Sequence, residues 1–199
     1  MARTRATDFK KKQHDLLLTA ARVFARQGME KASMSLIATE AGVSKSLLYH
    51  YYPSKDALIF AIIRTHLEAL DLALSQIDGT GLDPREKLEK LVLTVLEAYR
   101  GADDQHKVQL NAGSALSEDQ KNQITEIERR VVRYFAQVIR EVHPALDTPD
   151  RPLLMPVTMS LFGMLNWVYM WFRDGGALSR EEYAHVATTL ILDGLGGVR

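Results

Sequence analysis

Five residues just ahead of a Tyr-Tyr-Pro sequence have side chains of the kinds that contact nucleic acids. Lys45 supplies a cation, Ser46 a hydroxyl, Leu47 an apolar group, and Tyr49 and His50 supply rings with polar tips. All of them fall within about two turns of a helix. A helix this short can enter the major groove of DNA, where side chains near its N-terminal end meet the edges of the bases. The segment therefore predicts a DNA-contacting helix.

The chemistry of these side chains divides them into two groups. Ser46 and Leu47 can read a hydrogen-bonding base edge or a thymine methyl group, which carries sequence information. Cations and phenols hold phosphates, which positions a protein on DNA without reading its sequence. We expect Lys45, Tyr49 and Lys55 to hold phosphates in this way.

Ser33 and Ser44 complete the predicted DNA-binding set. Ser33 starts the preceding helix, where its hydroxyl and the exposed backbone N–H groups suit an anion, and Ser44 caps the contacting helix. Two alternatives stay open. Tyr49 and His50 can be solvent-facing side chains without a ligand. A basic arm can be a solvated tail or a nonspecific grip on the DNA backbone; it comprises Arg3, Arg5, Lys10, Lys11 and Lys12.

Helical periodicity and caps predict the elements that must position these residues. A first helix over about 9–27 carries an apolar stripe and ends at a glycine. Ser33 caps a short helix through Ala41, and Ser44 caps a third helix that stops before Pro53. Two short helices joined by a tight glycine turn make a helix-turn-helix.

The remaining chain also predicts helices, so the expected fold class is all-α, with about nine helices. They form a three-helix N-terminal head and a C-terminal helical body. The first four body helices are expected at 55–77, 84–99, 103–111 and 118–142. An apolar helix follows, which Pro149 and Pro152 open, Pro156 kinks and Gly175 ends. The last helix is expected from Ser179 to Asp193. We place a DNA-binding helix-turn-helix domain at residues 1–54 and a ligand-binding and dimerisation domain at residues 55–199, with the 55–77 helix bridging the two.

The charge distribution and the composition limit the classes of function that this protein can have. Residues 1–55 contain ten basic and four acidic side chains, so this first quarter carries +6, and the remainder carries −6 because the whole chain is neutral. A basic head on an acidic body is typical of a protein that binds a polyanion. The absence of Cys excludes a disulfide framework, a thiolate zinc site and a Cys nucleophile.

Localisation signals point to the cytoplasm. The N-terminal segment lacks the apolar stretch of a signal peptide. The apolar segment 153–172 has about the length of a membrane span, but it contains a proline and several polar residues. We expect a cytoplasmic protein that does not enter a membrane.

Catalytic, metal and cofactor patterns are missing from the sequence. The six His residues are scattered without the spacing of a metal site. Neither a nucleophile elbow nor a Walker loop nor a dinucleotide-binding fingerprint occurs. We therefore expect no enzymatic activity, no metal and no cofactor.

A segment rich in Met and aromatic residues, from 155 to 172, suits a small-molecule pocket. Such side chains equally fill a protein core, and that alternative stays open. Ligand sites are usually apolar cavities with a few polar groups. On this basis the predicted effector site is lined by Tyr99, His106, Asn111, Arg133, Tyr134, Phe162, Asn166, Trp167 and Met170.

The small contact area of one short reading helix favours a two-fold homodimer on a palindromic DNA site. The last two helices are the predicted dimer surface, because a helix that is apolar all round needs both an intramolecular face and a partner. Near this surface we place Leu161, Leu165, Val168, Tyr183, Val186, Leu190 and Leu195.

Residues 37–58 resemble the TetR family of one-component transcription repressors. Three elements of the family appear in order, I-A-x-x-A-G-V-S from Ile37, L-Y-x-x-Y from Leu48 and S-K-x-x-L from Ser54. The resemblance is strong over about 13–63, whereas the body matches mainly in its number of helices. It implies repression through operator DNA and a dimer interface of four helices, two from each chain.

The family resemblance also implies roles for individual residues. It places Tyr49 and Lys55 on the DNA backbone. At the positions of Lys45, Leu47 and His50, family members make DNA contacts that vary from one member to another. Leu47 departs from the small or hydroxyl residue expected at its position, which weakens the case for base reading there.

Residues 163–182 resemble the C-terminal region of TetR regulators that control fatty-acid, sterol or aromatic-acid catabolism and respond to acyl-CoA thioesters. The matching pattern is G-M-L-N-W-x-x-x-W-F-R-x-G-G-x-L-S-x-x-E. The resemblance implies an acyl chain between the body helices and CoA phosphates near Arg129, Arg133 or Arg173. A solvated helix face would equally explain each of these arginines.

These patterns together predict a homodimeric repressor of palindromic operator DNA that is released by a small hydrophobic effector, with an acyl-CoA thioester as the candidate. Effector binding between the body helices would tilt the 55–77 helix and move the two heads apart. Two alternatives remain: a helix-turn-helix protein without an effector, and an all-α small-molecule-binding protein that does not bind DNA.

Overall fold

The computed structural model describes residues 2–112 and 115–194, and for residues 2–10 and Arg151 it describes the backbone alone. Within these residues, nine helices have seven residues or more and a tenth has four. They are α1 (Ala2–Gln27), α2 (Met34–Glu40), α3 (Lys45–Tyr51), α4 (Lys55–Ser75), α5 (Pro84–Ala98), α6 (Asp103–Asn111), α7 (Glu118–Val142), α8 (Leu154–Asn166), α9 (Val168–Trp171) and α10 (Arg180–Gly194). The all-α prediction is confirmed.

Serine hydroxyls begin the helices where the sequence predicts caps. Ser33, Ser44 and Ser54 each accept a hydrogen bond from the backbone N–H three residues later, at 3.0 to 3.2 Å. Ser117 and Ser179 form reciprocal capping boxes with the side chains of Gln120 and Glu182. These bonds satisfy N–H groups that have no acceptor inside the helix.

The chain divides into two compact units. The first contains residues 1–67 and 101–125, and therefore α1, α2, α3, the beginning of α4, α6 and the beginning of α7. Within it α1 packs against α2 and α6, and α2 packs against α3. Its core includes fully buried apolar side chains from four helices, Val23, Ile37, Leu48 and Leu58.

The second unit contains residues 68–100 and 126–199. Helix α5 packs against α8 and α10, and α8 also packs against α10. The core of this unit draws on α5, α7 and α8, and the rings of Phe135 and Phe162 meet edge to face with centroids 4.9 Å apart. The apolar side chains of these helices therefore face a common core.

Helix α1 begins at Ala2 and not near Phe9. Four of the seven residues at 2–8 are Ala or Arg, which favour helix, and neither Gly nor Pro occurs among them, so no local signal stops the helix from extending towards the N-terminus. The backbone of the basic arm is thus helical. The side chains of Arg3, Arg5 and Lys10 lie outside the described residues.

The predicted apolar helix after Pro149 differs most from the structure. Asp147–Thr148 (β1) and Arg151–Pro152 (β2) pair as a short antiparallel hairpin, and α8 starts only after it. Pro156 is in the first turn of α8, where no helical N–H bond is lost, so it does not produce the predicted kink. The helix is interrupted at Trp167, whose ψ of −2° departs from helical values, and α9 ends before the extended residue Phe172.

Among the residues that the structure describes, none of the helices combines the length and the apolar character needed to cross a bilayer.

Candidate functional site

Helix α3 has one buried and one exposed face. Gly42 adopts a φ of +65°, which a residue with a Cβ rarely takes, and this lets the chain turn sharply between α2 and α3. Leu48 is fully buried and packs α3 into the first unit. On the other face the side chains predicted to contact DNA are exposed: Lys45, Ser46, Tyr49 and His50. The local fold therefore presents four polar side chains on one short helix.

Ser44 and Leu47 also have structural roles at the start of α3. The Ser44 hydroxyl accepts a hydrogen bond from the Leu47 backbone N–H at 3.1 Å, and its own proton remains free to be donated to an anion. The Leu47 side chain is half-buried and lines a groove with Leu16 and Val43. Only part of Leu47 is thus available to a base.

Lys45 and Tyr49 contact each other across one helical turn. The Lys45 ammonium lies 5.8 Å from the centre of the Tyr49 ring, which is within range of a cation–π interaction. The neighbouring His50 ring meets Tyr51 edge-on at 5.8 Å. The two side chains predicted to hold phosphates on α3 therefore form one contact pair that carries a single positive charge.

Ser33 and Lys55 lie at the two ends of the helix-turn-helix. Ser33 is exposed, and its hydroxyl caps α2. Lys55 is half-buried, and its ammonium donates to the backbone carbonyls of Met29 at 2.7 Å and Glu30 at 3.4 Å. The sequence gives no sign of these contacts, because the donor and its acceptors are 25 and 26 residues apart.

Of the nine predicted effector residues, the structure joins Tyr99 and Asn166. The Tyr99 hydroxyl donates to Asn166 Oδ1 at 3.2 Å, at the C-terminal ends of α5 and α8. Tyr99 is 7% exposed, and burial, assisted by the negative charge of Glu128, raises the pKa of its phenol well above the ordinary value. Phe162 is buried in the same unit. These groups give the second unit a polar pair set in an apolar core.

The other predicted effector residues are dispersed. His106 and Asn111 belong to the first unit, where His106 is buried and Asn111 is exposed. In the second unit the Tyr134 hydroxyl donates to Asp71 at 3.4 Å. The remaining three residues, Arg133, Trp167 and Met170, are exposed side chains.

A cleft that the sequence did not predict lies within the first unit. It has a volume of about 570 Å³ and lies between the end of α1, the start of α4, and α6. Its polar lining includes both signs of charge, with Lys55 and Lys107 opposed by Glu30 and Asp56.

The residues predicted near a dimer surface separate into two groups. Leu161, Leu165 and Val168 are buried in the core of their own chain, because their side of α8 and α9 packs inward. Val186 and Leu190 on α10 are 40% and 60% exposed. Tyr183 is half-buried with its ring edge-on to Trp171, and Leu195 lies outside the described residues.

The exposed side of α8 carries apolar residues that the prediction omitted. Met155 and Met159, one turn apart, are 52% and 49% exposed, and Trp167 is 59% exposed. We group them with Val186 and Leu190 on α10, which packs against α8, under the name α8/α10 apolar face. The signal for Met155 and Met159 was present in the sequence as spacing of four residues opposite the buried Leu161 and Leu165.

The first three helices, with a glycine turn between α2 and α3 and polar residues outward on α3, define a helix-turn-helix protein. Two family models match the chain. One describes bacterial regulatory proteins of the tetR family and matches residues 16–62, and the other describes the tetracyclin repressor-like C-terminal domain and matches residues 81–195. The chain belongs to the TetR family of bacterial regulatory proteins. Both models describe transcription regulators, and no catalytic family is indicated.

Individual relatives agree with this assignment along most of the chain. A TetR-family transcriptional regulator from Bordetella parapertussis 12822 is 32% identical, with 92% of this chain and 94% of that chain covered and a TM-score of 0.82. The HTH-type transcriptional repressor KstR2 of Rhodococcus jostii RHA1 is 29% identical over 192 residues, 91% of this chain and 89% of that protein. AibR, solved with isovaleryl coenzyme A and operator DNA, is 24% identical, with 91% and 98% covered and a TM-score of 0.73, and so shares the fold.

Proposed function

We propose that this protein is a transcriptional repressor that binds palindromic operator DNA as a homodimer and is released by a small hydrophobic effector. The observation that carries the DNA-binding part is the exposed face of α3, where Lys45, Ser46, Tyr49 and His50 project from a helix anchored by the buried Leu48. A capped helix of seven residues with polar side chains on its outer face suits the major groove. Repression is supported by the name of the Rhodococcus relative KstR2.

The DNA contacts we propose combine base reading with phosphate binding. Ser46 and the exposed part of Leu47 would meet bases, and His50 would contribute where the operator allows. Lys45 and Tyr49, already in contact, would hold phosphates, together with Lys55 and the hydroxyls of Ser33 and Ser44 at two helix N-termini. The net charge of +6 over residues 1–55 supports this assignment, because phosphate neutralisation supplies much of the affinity for DNA.

We assign DNA binding to residues 1–54 and effector binding and dimerisation to residues 55–199. The two matched family models, one N-terminal and one C-terminal, support a division of this kind. Two helices contribute residues to both compact units: α4, with residues 55–67 in the first and 68–75 in the second, and α7, with residues 118–125 and 126–142. Because α4 follows the helix-turn-helix directly, it is the element by which an effector in the body would act on the head.

The dimer would form through the α8/α10 apolar face. Its five side chains, Met155, Met159, Trp167, Val186 and Leu190, are between 40% and 60% exposed. Several exposed apolar side chains on two helices that pack against each other indicate a partner. A two-fold dimer would bring the same face of each chain together and supply two copies of α3 for a palindromic site.

The effector class we propose is an acyl-CoA thioester. The Tyr99–Asn166 pair would offer polar groups to the thioester region, and the apolar side chains around Phe162 would receive the acyl chain. The isovaleryl coenzyme A in the AibR complex supports an effector of this kind on this fold. Binding must favour the form that does not hold DNA, since an effector shifts an equilibrium only through its different affinities for the two forms.

Fluorescence anisotropy on the duplex upstream of the protein's own coding region, compared with scrambled DNA, tests the function. We expect preferential binding that a member of an acyl-CoA panel reverses. Preferential binding that no thioester alters would leave a helix-turn-helix repressor and contradict the effector. If the protein also showed no preference on a library of random duplexes, the DNA-binding proposal would be wrong, and the all-α small-molecule-binding alternative would stand.

The effector site has its own test in a pair of matched variants. Tyr99→Phe removes only the hydroxyl that bonds Asn166, whereas Thr94→Val removes a hydroxyl of the same helix that bonds the Lys90 carbonyl. We expect Tyr99→Phe to raise the thioester concentration needed for release about tenfold, as one lost hydrogen bond would. Thr94→Val should leave it unchanged. Equal responses of the two variants would contradict the placement of the pocket.

A further inference from the structure

A polar contact inside the second unit joins α4 and α7, the helices that contribute residues to both compact units. The Asp71 carboxylate on α4 accepts a hydrogen bond from Arg130 Nε at 2.9 Å and another from the Tyr134 hydroxyl at 3.4 Å. Both donors belong to α7, where residues four apart lie on the same face of the helix. We call these three residues the Asp71 clamp.

The Asp71 clamp is partly shielded from water. The Asp71 side chain is 18% exposed, whereas that of Arg130 is 45% exposed. On either side of Asp71, Leu70 and Leu74 are buried in the core of the second unit. A charge-assisted bond to a shielded carboxylate is stronger than one between two exposed side chains, because water competes less for it. The clamp therefore adds a directional contact to the apolar packing of this part of α4.

The Asp71 clamp lies close to the points where α4 and α7 enter the second unit. The division between the units falls after residue 67 in α4 and after residue 125 in α7. Asp71 and Arg130 follow these points by four and five residues, which is little more than one helical turn. The clamp consequently fixes the two helices to each other near the positions from which each of them leads back into the first unit.

We propose that Asp71 is a positioning residue, whose clamp holds α4 where DNA binding requires it and is absent from the effector-bound form. This inference rests on the proposed function, in which α4 carries the effect of the effector to the helix-turn-helix. A palindromic site requires two copies of α3 at a fixed spacing, and a contact that fixes the helix following α3 favours that spacing. Removing a contact that only one form makes shifts the population towards the other form.

An effect of charge alone on DNA binding would have a different signature. Removing the negative charge of Asp71 would strengthen the attraction for DNA, and removing the positive charge of Arg130 would weaken it. Loss of the clamp weakens DNA binding in both cases. The direction of the change in an Asp71 variant therefore distinguishes the clamp from long-range electrostatics.

The test uses full-length variants and two affinities. DNA affinity is measured by fluorescence anisotropy on the upstream duplex, and thioester affinity by calorimetry without DNA, with isovaleryl coenzyme A as the first probe of the acyl-CoA panel. Asp71→Asn and Arg130→Gln each remove one charge of the clamp, and Arg130→Lys keeps the cation. Arg140→Gln is the matched control, because Arg140 is also on α7 but pairs with Asp147, at 2.7 Å, and not with α4.

We expect Asp71→Asn and Arg130→Gln to bind the duplex about fivefold more weakly than the wild type and to bind the thioester more tightly. Arg130→Lys should restore most of both affinities, and Arg140→Gln should match the wild type. A general loss of stability would weaken both affinities, so changes in opposite directions identify the clamp. Unchanged or stronger DNA binding by Asp71→Asn overturns the proposal, and so does weaker thioester binding by both clamp variants.

Failure of the proposed function gives separate results. If the wild type shows no DNA preference, the DNA-binding function is wrong, and the role of the clamp fails with it. If the wild type prefers the upstream duplex but binds no thioester of the panel, the effector class is wrong. The DNA affinities of Asp71→Asn and Arg130→Gln then still decide whether the clamp favours DNA binding.

Discussion

At the scale of single residues, His66 links the stability of the first unit to pH. Its ring lies on α4 beside that of His106 on α6, with centroids 6.3 Å apart. Burial, and secondarily the charge of His106, lowers the pKa of His66 to about 4 from 6.5. Between these two values the unfolded chain binds a proton that the folded chain does not bind, so the free energy of unfolding decreases as the pH falls from 6.5 towards 4.

The pH effect can be measured against a variant that does not titrate. We expect the wild type to lose on the order of 2 kcal/mol more than His66→Gln between about pH 6.5 and pH 4 in urea unfolding. The comparison cancels the titration of the carboxylates, which both proteins share. Parallel stability curves for the two proteins would show that the folded chain protonates His66 as readily as the unfolded chain.

At the scale of elements, Arg180 connects three parts of the second unit. It is 7% exposed and donates to the Leu96 carbonyl near the end of α5 at 2.5 Å. It also forms two bonds to Asp174, at 3.0 and 3.1 Å, in the segment between α9 and α10, and lies 4.9 Å from the Phe172 ring. Its bond to Asp174 lowers the pKa of that carboxyl. One side chain thus holds α5, α10 and the segment that precedes α10.

Loss of Arg180 should therefore destabilise the second unit markedly. We expect Arg180→Met to lower the free energy of unfolding by about 3 kcal/mol, because it strands a buried carbonyl and opens the contact between α5 and the 172–179 segment. Asp174→Asn is the matched control. Asp174 is 53% exposed, and the bond to Leu96 survives its replacement, so the loss should stay below about 1 kcal/mol. If both variants lost the same free energy of unfolding in chemical denaturation, the bond from Arg180 to the Leu96 carbonyl would not be its main stabilising contact.

Elements were predictable wherever their signals are local. Caps at Ser33, Ser44 and Ser117 depend on residues within one turn, and the structure confirms each of them. The interruption of the apolar helix at Trp167 was not predictable, because apolar periodicity continues through it. The hairpin at 147–152 is likewise too short to produce an alternating pattern.

Features of the candidate site also divide into those that a local sequence pattern predicts and those that depend on contacts between distant residues. The outward face of α3 follows from helical periodicity once Leu48 is taken as buried, so Lys45, Tyr49 and His50 could be predicted. The bond between Tyr99 and Asn166 joins residues 67 apart, and the bond from Lys55 to Met29 spans 26. Contacts of this kind depend on how helices pack, which a single sequence does not encode in any local pattern.

At the scale of the whole molecule, dimerisation through the α8/α10 apolar face can be tested with two equally exposed leucines. Leu190 on α10 is 60% exposed, and Leu72 on α4 is 59% exposed. We expect Leu190→Glu to shift the protein from dimer to monomer in analytical ultracentrifugation, because it would bury an unpaired carboxylate at the interface. Leu72→Glu adds the same charge elsewhere and should leave the dimer intact. A dimer that persists in Leu190→Glu would place the interface on another surface.

The same pair of variants tests whether DNA binding needs a dimer. Each chain supplies one short α3, so a dimer on a palindrome gains its second half-site at the high effective concentration set by the first. We expect Leu190→Glu to bind the full palindrome at least about a hundredfold more weakly than the wild type, and no better than it binds a half-site. Its α3 is unchanged, so the half-site affinities of variant and wild type should agree, and Leu72→Glu should match the wild type on both duplexes. A Leu190→Glu monomer that still preferred the palindrome over the half-site would show that the affinity for the operator does not come from joining two heads.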